Sequence, residues 1–233
     1  MVYGEFILQP AVDLTRLLSK HLPKGLDSTY LTNSGTEAIE GAIKLARRYT
    51  GRREIIGANN AYHGSTLGAL TLMGKIENRK PFEPLLPEVN FIDFNNLNDI
   101  NKITHKTAGV ILETIQGAAG FIDEIQPGIG RTGKLFGFEN YNCIPDIIVS
   151  GKGLGGGMPI GAFISSKKIM STISNNPKLG HITTFGGNPV IAASAYQTLK
   201  IITETDLIKK TLSKEIIIRN KLKHPLIKKI RGR

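Results

Sequence analysis

The chain has 233 residues, of which 40% are apolar and 21% are charged. This balance is typical of a globular protein with a sizeable core, and it excludes a disordered tail, a collagen-like fibre and a disulfide-stapled miniprotein. No apolar run approaches the ~18 residues that a membrane span needs, the first residues do not resemble a secretory signal, and Cys143 is the sole cysteine. We therefore expect a soluble, cytoplasmic protein.

The net charge of +11 is concentrated at the end of the chain. Residues 209–233 hold ten Lys and Arg and one acid, a local charge of +9, so the remaining 208 residues carry only +2. A basic patch can bind phosphate backbones, but no recognised nucleic-acid motif accompanies this one. A solvated basic helix explains the charge better, so we expect neither nucleic acid nor a membrane as a partner.

Helix-like and strand-like segments alternate along the chain. Apolar periodicity predicts three helices, over residues 38–46, 98–103 and 189–203. Short apolar runs predict four strands, over residues 54–57, 90–93, 108–113 and 146–150. Short apolar strands separated by helices indicate an α/β protein, in which helices cover a mainly parallel sheet on both faces.

The last segment is unusual. Residues 207–222 can form one amphipathic helix, and residues 224–233 then begin a strand-like stretch. No later strand can pair with it, and an isolated strand leaves its backbone groups unpaired. We therefore expect the chain to end inside a domain.

The first candidate site is Ser34-Gly35-Thr36, at the start of the helix over 38–46. Exposed N–H groups and the positive end of the helix dipole favour an anion there, and Gly35 permits close approach of a ligand to the backbone. The alternative is purely structural, because Ser34 and Glu37 also have the spacing of a capping box.

The second candidate is Lys152, which follows a buried-looking strand and enters a glycine-rich loop. The loop is not a P-loop, because the Gly-x4-Gly-Lys-Ser/Thr order is absent. A lysine amine in a desolvated, cationic site can attack an aldehyde. The alternative is an ordinary solvated lysine.

Three weaker candidates lie elsewhere in the chain. Asp123 precedes a glycine-rich turn, where it could sit at the carboxyl end of a strand and hold a positive ring nitrogen, or could simply cap a loop. Thr184 belongs to a Thr-Thr-Phe-Gly-Gly turn that could bind a second phosphate. The pair Tyr62-His63 lies in a loop, where aromatic residues usually serve packing.

Together these motifs occur in an order and spacing that resemble the class III (ornithine- and acetylornithine-type) aminotransferases. The matching stretches are residues 31–74, 110–120 and 123–189. The resemblance implies pyridoxal-phosphate fold type I, the aspartate-aminotransferase fold. It also implies transfer of an amino group from an ornithine-like or other small-molecule donor to a 2-oxo acid in amino-acid metabolism.

The resemblance also implies roles for residues around the cofactor. Lys152 would bind pyridoxal 5'-phosphate as a Schiff base and move the proton, and Asp123 would pair with the pyridine nitrogen. Gln126 would reach the phenolic oxygen, and Tyr62 would stack on the ring with His63 beside it.

The phosphate would be held at the start of the first helix, by Ser34, Gly35 and Thr36. Thr184 would contact the phosphate of the neighbouring subunit, so a homodimer is implied. No metal is expected.

The resemblance divides the chain into three parts. Residues 1–25 would lead into the large domain, and residues 26–204 would form the cofactor-binding large domain, shortened near 116–123. Residues 205–233 would be a helix and the start of a C-terminal small domain that is largely missing, together with its substrate-carboxylate arginine.

Several departures from the family bear on activity. Six residues, 116–121, separate two strands expected in one parallel sheet, whereas a parallel crossover normally needs a dozen or more. Ser65, Ala118 and Pro127 replace the arginine, glutamate and threonine common in relatives, which leaves the amino donor open. The alternative hypothesis is therefore a catalytically impaired or inactive remnant of such an enzyme.

Overall fold

The structure, a computed structural model, describes residues 3–114, 121–178, 180–228 and 230. Seven strands of these residues form one sheet in the order β1-β7-β6-β5-β4-β2-β3. The strands are β1 (Ser28–Thr32), β2 (Glu54–Ala58), β3 (Val89–Ile92), β4 (Thr107–Glu113), β5 (Phe121–Asp123), β6 (Ile147–Ser150) and β7 (Gly161–Ser165). The main helices are α1 (Gln9–His21), α2 (Gly35–Thr50), α3 (Leu67–Thr71), α4 (Ile76–Arg79), α5 (Lys167–Met170), α6 (Pro189–Glu204) and α7 (Lys210–Lys221).

The sheet is mainly parallel. Strands β3, β2, β4, β5 and β6 pair in parallel, and β7 lies antiparallel between β6 and β1. The predicted α/β class and mainly parallel sheet are therefore confirmed. The segment predicted as a short helix over 98–103 is a 3-10 helix, Leu97–Lys102.

Helices cover both faces of the sheet because alternate residues of the central strands are apolar on both sides. Ile147 and Val149 pack under α2, whose buried stripe includes Ile39. Ile148 points to the opposite face, where it belongs to the cluster that α1 and α6 complete. Helix α1 therefore contributes Leu14 and Leu18 to this cluster.

Strand β5 is short, but it lies in the middle of the sheet. Its three residues pair with Ile111–Glu113 of β4 on one side and with Ile147–Val149 of β6 on the other. Residues 115–120, with Ala118 among them, lie outside the described part of the chain.

The end of the chain differs from the prediction. The helix begins at Lys210 rather than at 207, and none of its residues is buried. The strand predicted over 224–233 is wrong for the described residues 224–228, where the N–H of Ile227 donates to the carbonyl of His224 and closes a turn. Pro225 has no N–H to donate to a neighbouring strand, which disfavours pairing there. No helix in the described ranges is long and apolar enough to cross a membrane.

Candidate functional site

A cavity of about 260 Å³ lies at the carboxyl ends of β4, β5 and β6. Open α/β sheets bind ligands at such strand ends. The lining residues are Gly35, Thr36, Tyr62, His63, Gly64, Ser65, Glu113, Asp123, Ile125, Gln126, Pro127 and Lys152. A larger groove of about 460 Å³ runs between the 129–131 loop and α7, but no sequence-predicted residue lines it.

The start of α2 forms one wall of this cavity. Ser34 is the N-cap, and its hydroxyl accepts from the N–H of Glu37 at 3.3 Å. The Glu37 carboxylate accepts from the N–H of Asn33 at 2.9 Å rather than from that of Ser34, so Ser34 caps the helix but the reciprocal half of a capping box does not form. The anion interpretation is compatible with it, because the first N–H groups of a helix have no intrahelical acceptor.

Gly35 fits this wall because it has no side chain. A Cβ there would lie 2.6 Å from Cδ1 of Ile125, which lines the same cavity. Thr36 lies beside Gly35, and its hydroxyl is 2.8 Å from that of Thr66. The helix start and the segment after β5 therefore approach each other closely.

Lys152 extends into the cavity from the loop after β6. Its backbone has a φ of +38°, in the left-handed region that L-residues rarely adopt. Its Nζ donates to Oε1 of Gln126 at 3.3 Å. Gly151, just before it, packs so closely that a Cβ would lie 3.3 Å from the Cα of Gly35. The strained lysine is thus fixed beside the start of α2.

Asp123 and His63 form a buried pair. Oδ2 of Asp123 lies 2.8 Å from Nδ1 of His63, and the two side chains are 5% and 0% exposed. Since a carboxylate only accepts, Nδ1–H of the imidazole is the donor. Oδ1 accepts from the N–H of Ile125 at 2.9 Å. Contacts on both oxygens fix the orientation of the Asp123 carboxylate.

Tyr62 lies at the mouth of the cavity with half of its side chain exposed, and its hydroxyl is 3.1 Å from that of Ser65. Thr184 is not among the residues that line the cavity. It is exposed on the loop before α6, where its carbonyl accepts from the N–H of Tyr3. Seven of the nine sequence-predicted residues thus line one cavity, Ser34 caps the adjoining helix, and Thr184 lies elsewhere.

The sequence reasoning missed two acidic residues, one that lines the cavity and one that lies beside it. Glu113 ends β4 and lines the cavity. Glu124 follows Asp123 and is fully buried. The signal that could have identified Glu113 is its place at the end of a predicted buried strand, where ligand-binding residues collect in open α/β sheets.

Comparison with known proteins identifies the family. The model for the class III aminotransferases matches residues 1–122 and again 121–233. The two matches overlap at residues 121–122, the start of β5.

Two curated relatives are similar to this chain. The [LysW]-aminoadipate semialdehyde/glutamate semialdehyde transaminase of Sulfolobus acidocaldarius is 36% identical over 95% of this chain and 64% of its own length. The acetylornithine aminotransferase of Methanopyrus kandleri is 38% identical over 85% of this chain and 57% of its own length. The chain therefore spans less than two thirds of the length of these relatives. The first alignment extends over 249 positions, more than the 233 residues of this chain, so some residues of that relative have no counterpart here.

Solved structures agree with the sequence comparison. One is an ornithine aminotransferase from Toxoplasma gondii with partial occupancy of PLP at its active site. It superposes with a TM-score of 0.86 at 26% identity, and the match covers 100% of this chain and 63% of the ornithine aminotransferase chain. A thermostable (S)-enantioselective omega-transaminase from Thermomicrobium roseum superposes with a TM-score of 0.88 at 26% identity. The match covers 99% of this chain and 64% of the transaminase. The chain therefore belongs to the class III aminotransferases, a family of pyridoxal-phosphate enzymes, and has their type I fold.

Proposed function

We propose that this chain is the cofactor-binding part of a pyridoxal-phosphate-dependent aminotransferase, which moves an amino group from an ornithine-like or other amino donor to a 2-oxo acid. The observation that carries the proposal is the cavity in which Lys152, Asp123 and the start of α2 meet. The names of the relatives support an amino-acid-derived donor without choosing among donors.

The residues present fit the cofactor. Gly35 and Thr36 at the start of α2 line the cavity, where a helix start suits a phosphate, and the buried Asp123 carboxylate matches a protonated ring nitrogen. Tyr62 would cover the ring, and Gln126 would contact its phenolic oxygen. When bound, the cofactor supplies an electron sink, and Lys152 would hold it covalently.

The chain's own groups would position and move protons. The amine of Lys152 would carry the proton, and its contact with Gln126 orients it. The pair with His63 would keep Asp123 in the rotamer that faces the ring. Thr36 would add a hydroxyl to the phosphate contacts.

A homodimer is part of the proposal. Thr184 lies on an exposed loop with Ile182 and Phe185, which are 47% and 59% exposed, and Val190 at the start of α6 is 69% exposed. Exposed apolar side chains of this kind favour burial against another surface. A second copy packed here would allow Thr184 to contact the phosphate held by its neighbour. Light scattering at micromolar concentration tests this, and a monomer would contradict it.

The second candidate is an impaired or inactive remnant of the same enzyme. The three-residue length of β5 favours it, as do Ser65 and Pro127 in the cavity wall. A misplaced catalytic group costs several orders of magnitude in rate, so a correct family does not ensure turnover.

One experiment separates the candidates. The protein is purified with pyridoxal phosphate and reduced with borohydride, and the modified residue is mapped by mass spectrometry. We expect an adduct on Lys152, its loss in Lys152→Ala, and its retention in Lys167→Ala, which changes an exposed lysine of α5. No adduct in a folded chain would contradict the proposal. An adduct without turnover of ornithine, acetylornithine or other donors would support the remnant.

A further inference from the structure

Glu124 lies beside the proposed site but not in it. Its side chain is fully buried, and it is not among the residues that line the cavity, although its neighbours Asp123 and Ile125 are. A buried carboxylate costs free energy unless hydrogen bonds satisfy it. Its partners therefore indicate what it does.

Three donors converge on the Glu124 carboxylate from two parts of the fold. Oε1 accepts from the hydroxyl of Thr114, directly after β4, and from the N–H of Phe138 at 2.9 Å. Oε2 accepts from the N–H of Gly137 at 2.7 Å. Gly137 and Phe138 begin the 3-10 helix Gly137–Tyr141, so Glu124 ties the end of β4 to this helix.

The backbone of Glu124 makes two further contacts. Its N–H donates to the carbonyl of Val149 in β6 at 2.7 Å, and its carbonyl accepts from the N–H of Gly128 at 3.1 Å. Glu124 thus connects β4, β6 and the following loop at the point where β5 ends. Strand β5 has only three residues, so its own ladder is short.

We propose that Glu124 is a positioning residue, which holds the backbone after β5 so that the Asp123 carboxylate stays paired with His63. The proposal rests on the proposed function for its significance, since Asp123 is the residue meant to face the cofactor. The contacts themselves exist without any cofactor.

Glu124→Gln is the decisive substitution. Whichever way the amide turns, its NH₂ faces the N–H of Gly137 or of Phe138, and two donors cannot pair. Thr114→Val is milder, because it removes one of the three donors. Glu139→Ala is the matched control, since Glu139 accepts from the N–H of Phe136 in the same loop but has no bond to Glu124.

The readout is the Nδ1–H proton of His63 in spectra of the histidine-labelled, cofactor-free chain, with thermal melts in parallel. We expect a downfield, slowly exchanging resonance in the wild type and its loss in Asp123→Asn. Glu124→Gln should shift or abolish the His63 resonance, and Thr114→Val should shift it less. Glu139→Ala should lower the melting temperature and leave the His63 resonance where it is.

An unchanged resonance in folded Glu124→Gln would overturn the proposal and leave Glu124 as a stabilising residue only. Should that variant not fold, Thr114→Val decides in the same way. Absence of the resonance in the wild type would also overturn it, because the pair would not exist. A failure to bind pyridoxal phosphate would instead refute the proposed function and leave this result intact.

Discussion

The free-energy cost of the backbone strain at Lys152 can be measured by substitution. With a φ of +38°, a residue with a Cβ is less stable than glycine, which has no such penalty. The left-handed region costs an L-residue about 1–2 kcal/mol. Glycine lowers the free energy of unfolding by about 0.5–1 kcal/mol relative to alanine, because its unfolded state is more flexible. Lys152→Gly should therefore be more stable than Lys152→Ala by roughly 0.5–1 kcal/mol.

The matched control is Lys200, in the interior of α6. There the conformation is helical, so Lys200→Gly should be less stable than Lys200→Ala by about 0.5–1 kcal/mol. Comparing glycine with alanine at each position cancels the loss of the lysine side chain. The sign of the difference should reverse between the two sites.

Urea unfolding of the four variants measures these differences. Both Lys152 variants should also lose the reducible cofactor adduct, whereas both Lys200 variants should keep it. If Lys152→Gly is less stable than Lys152→Ala, the strain at this position is not real.

Three other positions test the packing and electrostatics around the sheet. Ser34→Ala removes the cap of α2 and should cost about 1 kcal/mol in urea unfolding; Ser34→Asp should recover most of it, and no loss would refute the cap. Leu18→Ala truncates a fully buried side chain of α1 and should cost about 3–5 kcal/mol, so a loss below 1 kcal/mol would show that α1 is not docked. Burial, together with the charge of Lys44, lowers the pKa of His181 in the folded chain. As the pH falls, the unfolded chain therefore protonates this histidine before the folded chain does. Stability should therefore fall as the pH drops below about 6.5, less steeply in His181→Gln, and equal slopes would refute this.

Much of the fold could be predicted because the central strands are short apolar runs. Residues 54–57 and 146–150 correspond to β2 and β6, and the apolar spacing from Ala38 to Ala46 lies within α2. The strand predicted at the end of the chain was wrong for the described residues 224–228, because residue composition alone cannot supply a neighbouring strand.

The elements that were missed lack these signals. Strand β1 contains Ser28, Thr29 and Thr32 and lies at the edge of the sheet, where partial burial weakens the apolar pattern. Strand β7 is fully buried but begins directly after the glycine-rich loop. Local composition there resembles a continued loop.

The site shows the same division between local and long-range information. Lys152 and Ser34 could be identified because their motifs are contiguous in sequence. The pairing of His63 with Asp123 could not, since the two are 60 residues apart and meet only once β5 is placed between β4 and β6. Glu124 was missed for the same reason, because its donors come from other parts of the chain.

The short β4–β5 connection does not by itself displace Asp123. A crossover must return only as far as the next strand begins, and Phe121 pairs with Ile111, two residues before the end of β4. That return is about 7 Å along the strand, and the neighbouring strand lies about 5 Å away. Seven residues, 114–120, can extend over about 25 Å, so their length suffices without a helix. A three-residue strand makes few ladder hydrogen bonds, and the contacts of Glu124 and of the His63–Asp123 pair hold its carboxyl end. Under the proposed function, these side chains therefore take over the positioning of Asp123 that a longer strand would provide through its ladder.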